Sequence, residues 1–378
     1  MKGWGVCLLA WLLCWAGLPA MEARAGEAVK IYTFSAEEIP QELSQTAMQV
    51  NTQEVRITLT FAGDCTLGGT PSTVNASRGF GGVVREKGMD YPFAKLRGLF
   101  ATDDCTVVNL EGVLSQEKEG AVPGKRFHFV GDPGYGEILS RGSVECVNLA
   151  NNHTMDFGRR GYEDTMAALQ KAQVAYFGED TVTVVEKGGM RIGLTGSLVA
   201  LGEDKRRVLE RQMEALREAG CQWIAHSMHG GVEYAQQPTL RQRGTAAYAA
   251  GAGAALVVGH HPHVVQGMEM LGDVPVLYSL GNCSFGGNFR PRDMDACLLR
   301  VELAFAQGEL QSMELALWPI RVSGETGSNN FQPVLAAGED AGRIMEKLQK
   351  SSKIQLAPYE EGKGAALPAV EYKAQKER

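Results

Sequence analysis

The hydrophobic and polar positions alternate with two different periods along this chain. The stretch 55–61, "VRITLTF", alternates apolar and polar side chains and predicts a strand that ends in "AGDCTLGG". The same reading gives strands at 105–110 ("CTVVNL"), 144–149 ("VECVNL"), 221–228 ("CQWIAHSM"), 254–259 ("AALVVG") and 274–280 ("VPVLYSL"). Between them the period lengthens to that of a helix. Tyr162, Met166 and Leu169 recur at i, i+4 and i+7, as do Leu209, Met213 and Leu216, with Gly220 as a stop. Two further strands, "CLLRVELAFA" and "LQSMELALWPI", fill 296 to about 320, and a last helix follows near 339–350. Strands alternating with helices predict an α/β architecture. With no internal repeat and no Pro-rich linker, 54–350 reads as one domain, residues 26–53 as a lead-in and 351–378 as a polar, loose tail.

Composition changes this picture little. The chain has 378 residues, 44% hydrophobic and 21% charged, a globular balance that disfavours disorder. A formal net charge of −7 argues against nucleic acid as a main partner, because a phosphate backbone selects a basic face. The N-terminus matters more. An apolar run from Trp4 to Leu18 precedes Ala23-Arg24-Ala25, so residues 1–25 read as a signal peptide or a retained N-terminal anchor, and the body as exported. Beyond that segment lie six cysteines, Cys65, Cys105, Cys146, Cys221, Cys283 and Cys297. They sit in or beside core strands with no close pairs, which favours buried thiols over a disulfide framework.

The chemistry gathers where strands end. Six strands terminate in polar clusters that carry Asp64; Asn109 and Glu111; Asn152 and His153; His229 and Glu233; His261 and His263; and Asn282. In open α/β sheets that edge is where ligands bind. Carboxylates, an amide and imidazoles together suit a divalent ion such as manganese, iron or zinc. Two such ions about 3.5–4 Å apart would polarise a substrate oxygen. In an extended segment His261 and His263 face one way and His260 the other, with Pro262 stiffening the pair. His153 is a candidate general acid. Asp156 either orients it or caps the helix that begins near Arg160. Asn109, Glu233, Asn282, Arg78 and Lys125 are the candidate substrate contacts; the cations Lys125, Arg126 and Arg78 either face an anionic substrate or are merely solvated. The loop 68–82, "GGTPSTVNASRGFGG", has the glycine content of an anion cradle. His226 reads as a core histidine, His128 as a surface one, and Cys65 and Cys283 as thiols beside the site.

Taken in order, "GDCTLGG", "VVNLEGVLS", "KRFHFVGDP", "NLANNHTMDFGRRGYEDT", "SMHGGVEY", "GHHPHVVQGMEM" and "YSLGNCSFGG" resemble the capsule-synthesis CapA family, also called PgsA, of poly-γ-glutamate biosynthesis. The resemblance spans about 55–350. It implies a calcineurin-like metallophosphoesterase fold, a four-layer α/β/β/α sandwich with one or two metal ions at the strand ends. Asp64 would be the first carboxylate ligand, Glu111 would stand where a bridging aspartate usually lies, and Asn152 would be the amide ligand with His153 the acid beside it. His229 would be the single histidine ligand, and His261 with His263 the pair. Two departures bear on ion number. Thr66 stands where metallophosphoesterases carry the histidine of Asp-x-His, and Asn109-Leu110-Glu111 replaces Gly-Asp-x-x-Asp. The readings that follow are a metal-dependent hydrolase or transferase acting on an anionic surface polymer or phosphoester, and a non-catalytic binding or scaffold component of a membrane polymer-synthase and export complex.

Overall fold

The computed structural model describes residues 28–44, 54–117, 120–199, 202–367 and 370–371, so the N-terminal segment 1–25 lies outside the described residues. Two sheets lie face to face. In the first, parallel strands Val55–Thr66, Cys105–Leu110, Cys146–Asn148 and Ala175–Phe177 are flanked by the antiparallel pair Asp295–Ala306 and Glu309–Arg321. In the second, Met190–Leu198, Trp223–His229, Leu256–His260 and Val274–Leu280 run parallel, with antiparallel strands on both sides.

The sequence explains the layering. In Val55–Thr66 the alternate residues Ile57, Leu59 and Phe61 face the other sheet and meet Leu194, Ala225, Leu256 and Val258 in a shared core. The opposite face of the first sheet, with Val108 and Val147, is covered by helical residues such as Ile138, Leu139 and Leu169. The outer face of the second sheet, with Val184, Val257 and Val276, is covered by Leu209, Met213, Leu216 and Ala249 of helices Glu203–Glu218 and Leu240–Ala252. Three apolar layers separate four structural ones, the α/β/β/α sandwich expected above.

Several elements exceed the sequence reading. Lys30–Ser35, inside the expected lead-in, pairs antiparallel with Thr181–Lys187. Ala365–Ala366, inside the expected loose tail, pairs with Glu309–Arg321, and Leu356, Ala365 and Leu367 are buried. The sheets therefore recruit chain on both sides of 54–350, because edge strands offer unpaired backbone groups that these segments satisfy. Among the described residues the six cysteines are unpaired, five of them buried.

Helix Leu240–Ala252 starts in a capping box. The Thr239 side chain accepts from the Gln242 N–H at 3.2 Å and Gln242 Oε1 accepts from the Thr239 N–H at 2.9 Å. Gln242 Nε2 also donates to Gln266 (2.8 Å), whose amide donates to the Ala235 carbonyl (2.7 Å), so the cap fixes the loop that follows strand Trp223–His229. Thr239→Ala is expected to cost about 1 kcal/mol. A denaturant midpoint equal to that of the parent would show that the cap carries no load.

Candidate metal centre

The centre forms where the C-terminal ends of both sets of parallel strands meet. Asp64 reaches it through a β-bulge. Phe61 pairs with Val107 but Asp64 pairs with Asn109, so the first strand carries one extra residue between them. Simple alternation from Phe61 would turn Asp64 to the helix-covered face. The bulge turns it to the inter-sheet side instead, and Cys65 and Leu67 take the helix side. Gly63 makes this possible: a Cβ there would lie 2.0 Å from the Gly281 carbonyl oxygen, and the neighbouring Asp64 N–H donates to that same oxygen at 3.0 Å.

Around Asp64 the buried polar groups are densely coupled. Asn109 Nδ2 donates to Asp64 Oδ1 (2.7 Å) and lies 3.2 Å from His229 Nδ1, while Asn109 Oδ1 accepts from Asn148 (3.0 Å) and Asn151 (3.3 Å). His229 Nε2 lies 2.6 Å from Asn152 Oδ1. The His261 N–H donates to Asp64 Oδ2 (3.1 Å), and His263 Nδ1 lies 2.9 Å from Asn282 Oδ1 and 3.4 Å from Asp64 Oδ2. Two donor groups result: Asp64, Glu111 and His263, and Glu111, His229 and His261, with Glu111 common to both.

Electrostatics follows from burial. Burial alone would raise the Asp64 carboxyl, but the hydrogen bond with His263 and the neighbouring imidazoles hold it well below the usual range. Burial and then the Asp64 charge push Glu111 far up. His263 is opposed by burial, yet Glu111 and Asp64 raise it to about 10. His229 is driven down mainly by burial, as are His260 and His261. Both Glu111 oxygens and the Nδ1 atoms of His260 and His261 are buried without a hydrogen-bond partner. Buried polar atoms are rarely left in that state, and these are oxygen and nitrogen donors of the kind a divalent cation takes, so the residues fit a metal.

The structure brings Asp64, Glu111, Asn152, His229, His261 and His263 together, with His153 and Asp156 beside them. His153 Nδ1 is 2.7 Å from Asp156 Oδ2, and its Nε2 is 3.8 Å from Glu111. Asp156 also accepts from the Phe129 N–H (2.7 Å) and from Lys125 (2.6 Å), so it orients the histidine. Helix Gly158–Lys171 has Phe157 as its N-cap residue and no side-chain cap.

The expected substrate contacts fare differently. Asn109 has its amide engaged by protein groups and is fully buried, and Asn282 is buried against His263, so both position ligands. Lys125 is committed to Asp156 and the Asn152 carbonyl. Arg78 is exposed on the loop 68–82 and forms no hydrogen bond or ion pair among the described residues. The amides of Gly69, Gly79 and Gly81 in that loop donate to the carbonyls of Val130, Ala76 and Val74, so they are not an anion cradle. Glu233 is exposed and close enough to add its negative charge to that felt by Glu111 and His261.

The geometry of the histidine run also differs from expectation. His261 (φ 99°) and His263 (φ 56°) are left-handed rather than extended, and strand Leu256–His260 ends before them. His260 consequently does not point elsewhere: its Nδ1 lies 3.6 Å from Asp64. Two strained residues separated by Pro262 bend the chain around the carboxylate, which an i, i+2 rule cannot foresee. Asn148, Asn151 and Phe129 were also missed. Their signal was the polar run "NLANNH" and the aromatic pair in "KRFHFVGDP", each short of a partner until the sheets assemble.

The four-layer sandwich, with a buried carboxylate–imidazole–amide cluster at its strand ends, is a metallophosphoesterase-like fold. The family model described as "Bacterial capsule synthesis protein PGA_cap" matches residues 58–286, and the chain belongs to that family. It is 27% identical over 273 residues to "Capsule biosynthesis protein CapA" of Bacillus anthracis, covering 66% of this chain and 64% of the relative. It is 26% identical over 243 residues to "PGA biosynthesis protein CapA" of Bacillus subtilis (strain 168), covering 58% of this chain and 63% of the relative. The matched region therefore spans less than two thirds of either relative. Among the described residues no helix is long and apolar enough to cross a membrane.

Proposed function

We propose that this chain is an exported, metal-dependent hydrolase or transferase that acts on an anionic surface polymer or phosphoester during capsule polymer assembly. The observation that supports the proposal is Glu111, which is common to both donor groups and whose two carboxylate oxygens are buried without hydrogen-bond partners. Asp64, Glu111 and His263 would hold one ion, and Glu111, His229 and His261, with Asn152 beside them, a second. A bound manganese, iron or zinc ion supplies Lewis acidity at a substrate oxygen. The chain's own groups do the rest. The Asp156 carboxylate accepts from His153 Nδ1–H and fixes that tautomer, which leaves Nε2 facing the centre. Phe129, 4.4 Å from the His153 ring, helps hold its plane and shields it from water. With Nε2 also carrying a proton, His153 would be placed to hand that proton to a leaving group, while Nδ1–H stays bonded to Asp156. The exported location rests on the sequence of residues 1–25, and the capsule context on the family.

The test is elemental mass spectrometry of the purified full chain after growth with manganese, iron and zinc, beside His261→Ala, followed by a screen of chromogenic phosphoesters. One or two ions per chain, lost in a still-folded His261→Ala, together with turnover abolished by that substitution, is the expected result. A parent that takes up none of the three metals sinks the metal reading. Stoichiometric metal without turnover of any ester or amide moves the protein to the binding and scaffold role.

A further inference from the structure

One histidine of the centre is left over. Neither donor group, Asp64 with Glu111 and His263 or Glu111 with His229 and His261, includes His260. Yet its Nδ1 is buried without a hydrogen-bond partner, 3.6 Å from Asp64 Oδ1, and the residue is only 2% exposed. The strand explains its placement. Leu256 and Val258 face the core between the sheets, and His260 follows two residues on, with the same orientation. In register it stands opposite His229, and its carbonyl accepts from the Gly230 N–H at 3.1 Å. Its backbone is therefore fixed as the last residue of strand Leu256–His260, whereas His261 and His263 lie in the left-handed bend beyond.

The Asp64 carboxylate has an unfilled place that this imidazole suits. A carboxylate offers about four lone-pair sites, two on each oxygen. Asn109 Nδ2 takes one on Oδ1 at 2.7 Å, and the His261 N–H takes one on Oδ2 at 3.1 Å. The second site on Oδ2 is shared with His263 Nδ1, 3.4 Å away and its companion in one donor group, and so falls to the ion. One site remains on Oδ1, the oxygen that His260 faces. Because a carboxylate only accepts, a neutral imidazole facing it carries its proton on Nδ1. The separation of 3.6 Å is about 0.7 Å longer than an ordinary N–H···O bond.

We propose that His260 is a positioning residue of the metal centre: its Nδ1–H holds Asp64 Oδ1 and so keeps Oδ2 turned to the ion. A carboxylate ligand must give up rotation to bind an ion, and pinning the oxygen that does not bind removes that cost beforehand. Asn109 supplies one such bond, from a side chain that is itself oriented by Asn148 and Asn151. Asn109 belongs to the first sheet and His260 to the second, so Asp64 is held from both sheets at once. A site assembled between two sheets then keeps its carboxylate in place even if one sheet shifts against the other. The inference rests on the metal part of the functional reading above and not on turnover.

The experiment measures manganese, iron(II) and zinc dissociation constants of the purified full chain by competition with a fluorescent chelator, for the parent, His260→Leu and His260→Asn. Leucine fills the space without a donor, and asparagine restores an amide N–H near the place of Nδ1. His260→Leu is expected to weaken binding by about tenfold to a hundredfold, and His260→Asn to recover most of that loss. The metal-free thermal midpoint of His260→Leu should not fall, since a buried unsatisfied nitrogen leaves with the imidazole. Nitrogen-15 spectra of the metal-free parent, with the His260 signals assigned by their loss in the variants, should show the proton on Nδ1. A parent that binds metal while His260→Leu binds it as tightly overturns the inference alone, and so does a proton on Nε2. His260→Asn as weak as His260→Leu would make the nitrogen a ligand or a filler, and overturns it too. A parent that takes up none of the three metals takes down the metal reading and the inference together.

Discussion

Glu111→Gln is expected to make the metal-free protein more stable and the metal-loaded protein unattainable. Glu111 is fully buried, both of its oxygens lack hydrogen-bond partners, and Asp64 stands beside it. Burial raises its folded-state pKa far above the ordinary 4.5. An acid with a raised folded-state pKa binds its proton more tightly folded than unfolded. It therefore destabilises the fold from its unfolded pKa upward, increasingly as pH rises towards the folded value. Glutamine has no such titration. Without metal, the variant should match the parent near the ordinary carboxylate pKa and exceed it at neutral pH by about 1–3 kcal/mol, the scale for a buried group left unsatisfied. With metal the order reverses. The parent gains about 2.7 kcal/mol at a metal concentration a hundred times its dissociation constant, and the variant gains almost nothing. Thermal unfolding with chelator and with metal, at acidic and neutral pH, reads all four states. A Glu111→Gln protein that is destabilised when metal-free, or that still gains stability from metal, would mean that Glu111 is a structural carboxylate and not the shared ligand.

Gly63→Ala should remove the centre from a chain whose ligands are all intact. The added Cβ would sit 2.0 Å from the Gly281 carbonyl oxygen, so backbone must move. Two strands meet at that point, because Asn282–Phe285 pairs with Val55–Thr66 through Asn282 and Asp64. Overpacking against backbone, with no flexible side chain to yield, is expected to cost more than about 3 kcal/mol. Any relaxation that accommodates the methyl group undoes the bulge and carries Asp64 away from His261 and His263. Denaturant unfolding and metal content should fall together. A variant within about 1 kcal/mol of the parent that retains full metal content would show that the bulge is tolerant and that Asp64 is held by other means.

The bridge between these predictions and the sequence is uneven. Strands 105–110 and 274–280 were legible to the residue, because each is a short apolar run closed by a turn signal. The hairpin Thr181–Lys187 and Met190–Leu198 carried a comparable signal in its Gly188-Gly189 turn, and helix Leu240–Ala252 was masked by its many alanines and glycines, which blur the apolar stripe. The edge strand Lys30–Ser35 had no legible signal of its own. Its stability comes from pairing with Thr181–Lys187, a partner that no local pattern reveals.

The sequence by itself determined which residue types gather at strand ends, and that was enough to name Asp64, Glu111, Asn152, His229, His261 and His263 together. Strand polarity forces this, since parallel strands of one sheet must end on one edge. Only the tertiary structure decided how those residues divide their work. Asn109 and Asn282 turned inward because their amides satisfy Asp64 and His263, Lys125 turned to Asp156, and His260 joined the cluster because left-handed residues after it bend the chain. Residue type follows from local pattern, but orientation depends on bulges, strained φ angles and hydrogen-bond partners contributed by the opposite sheet.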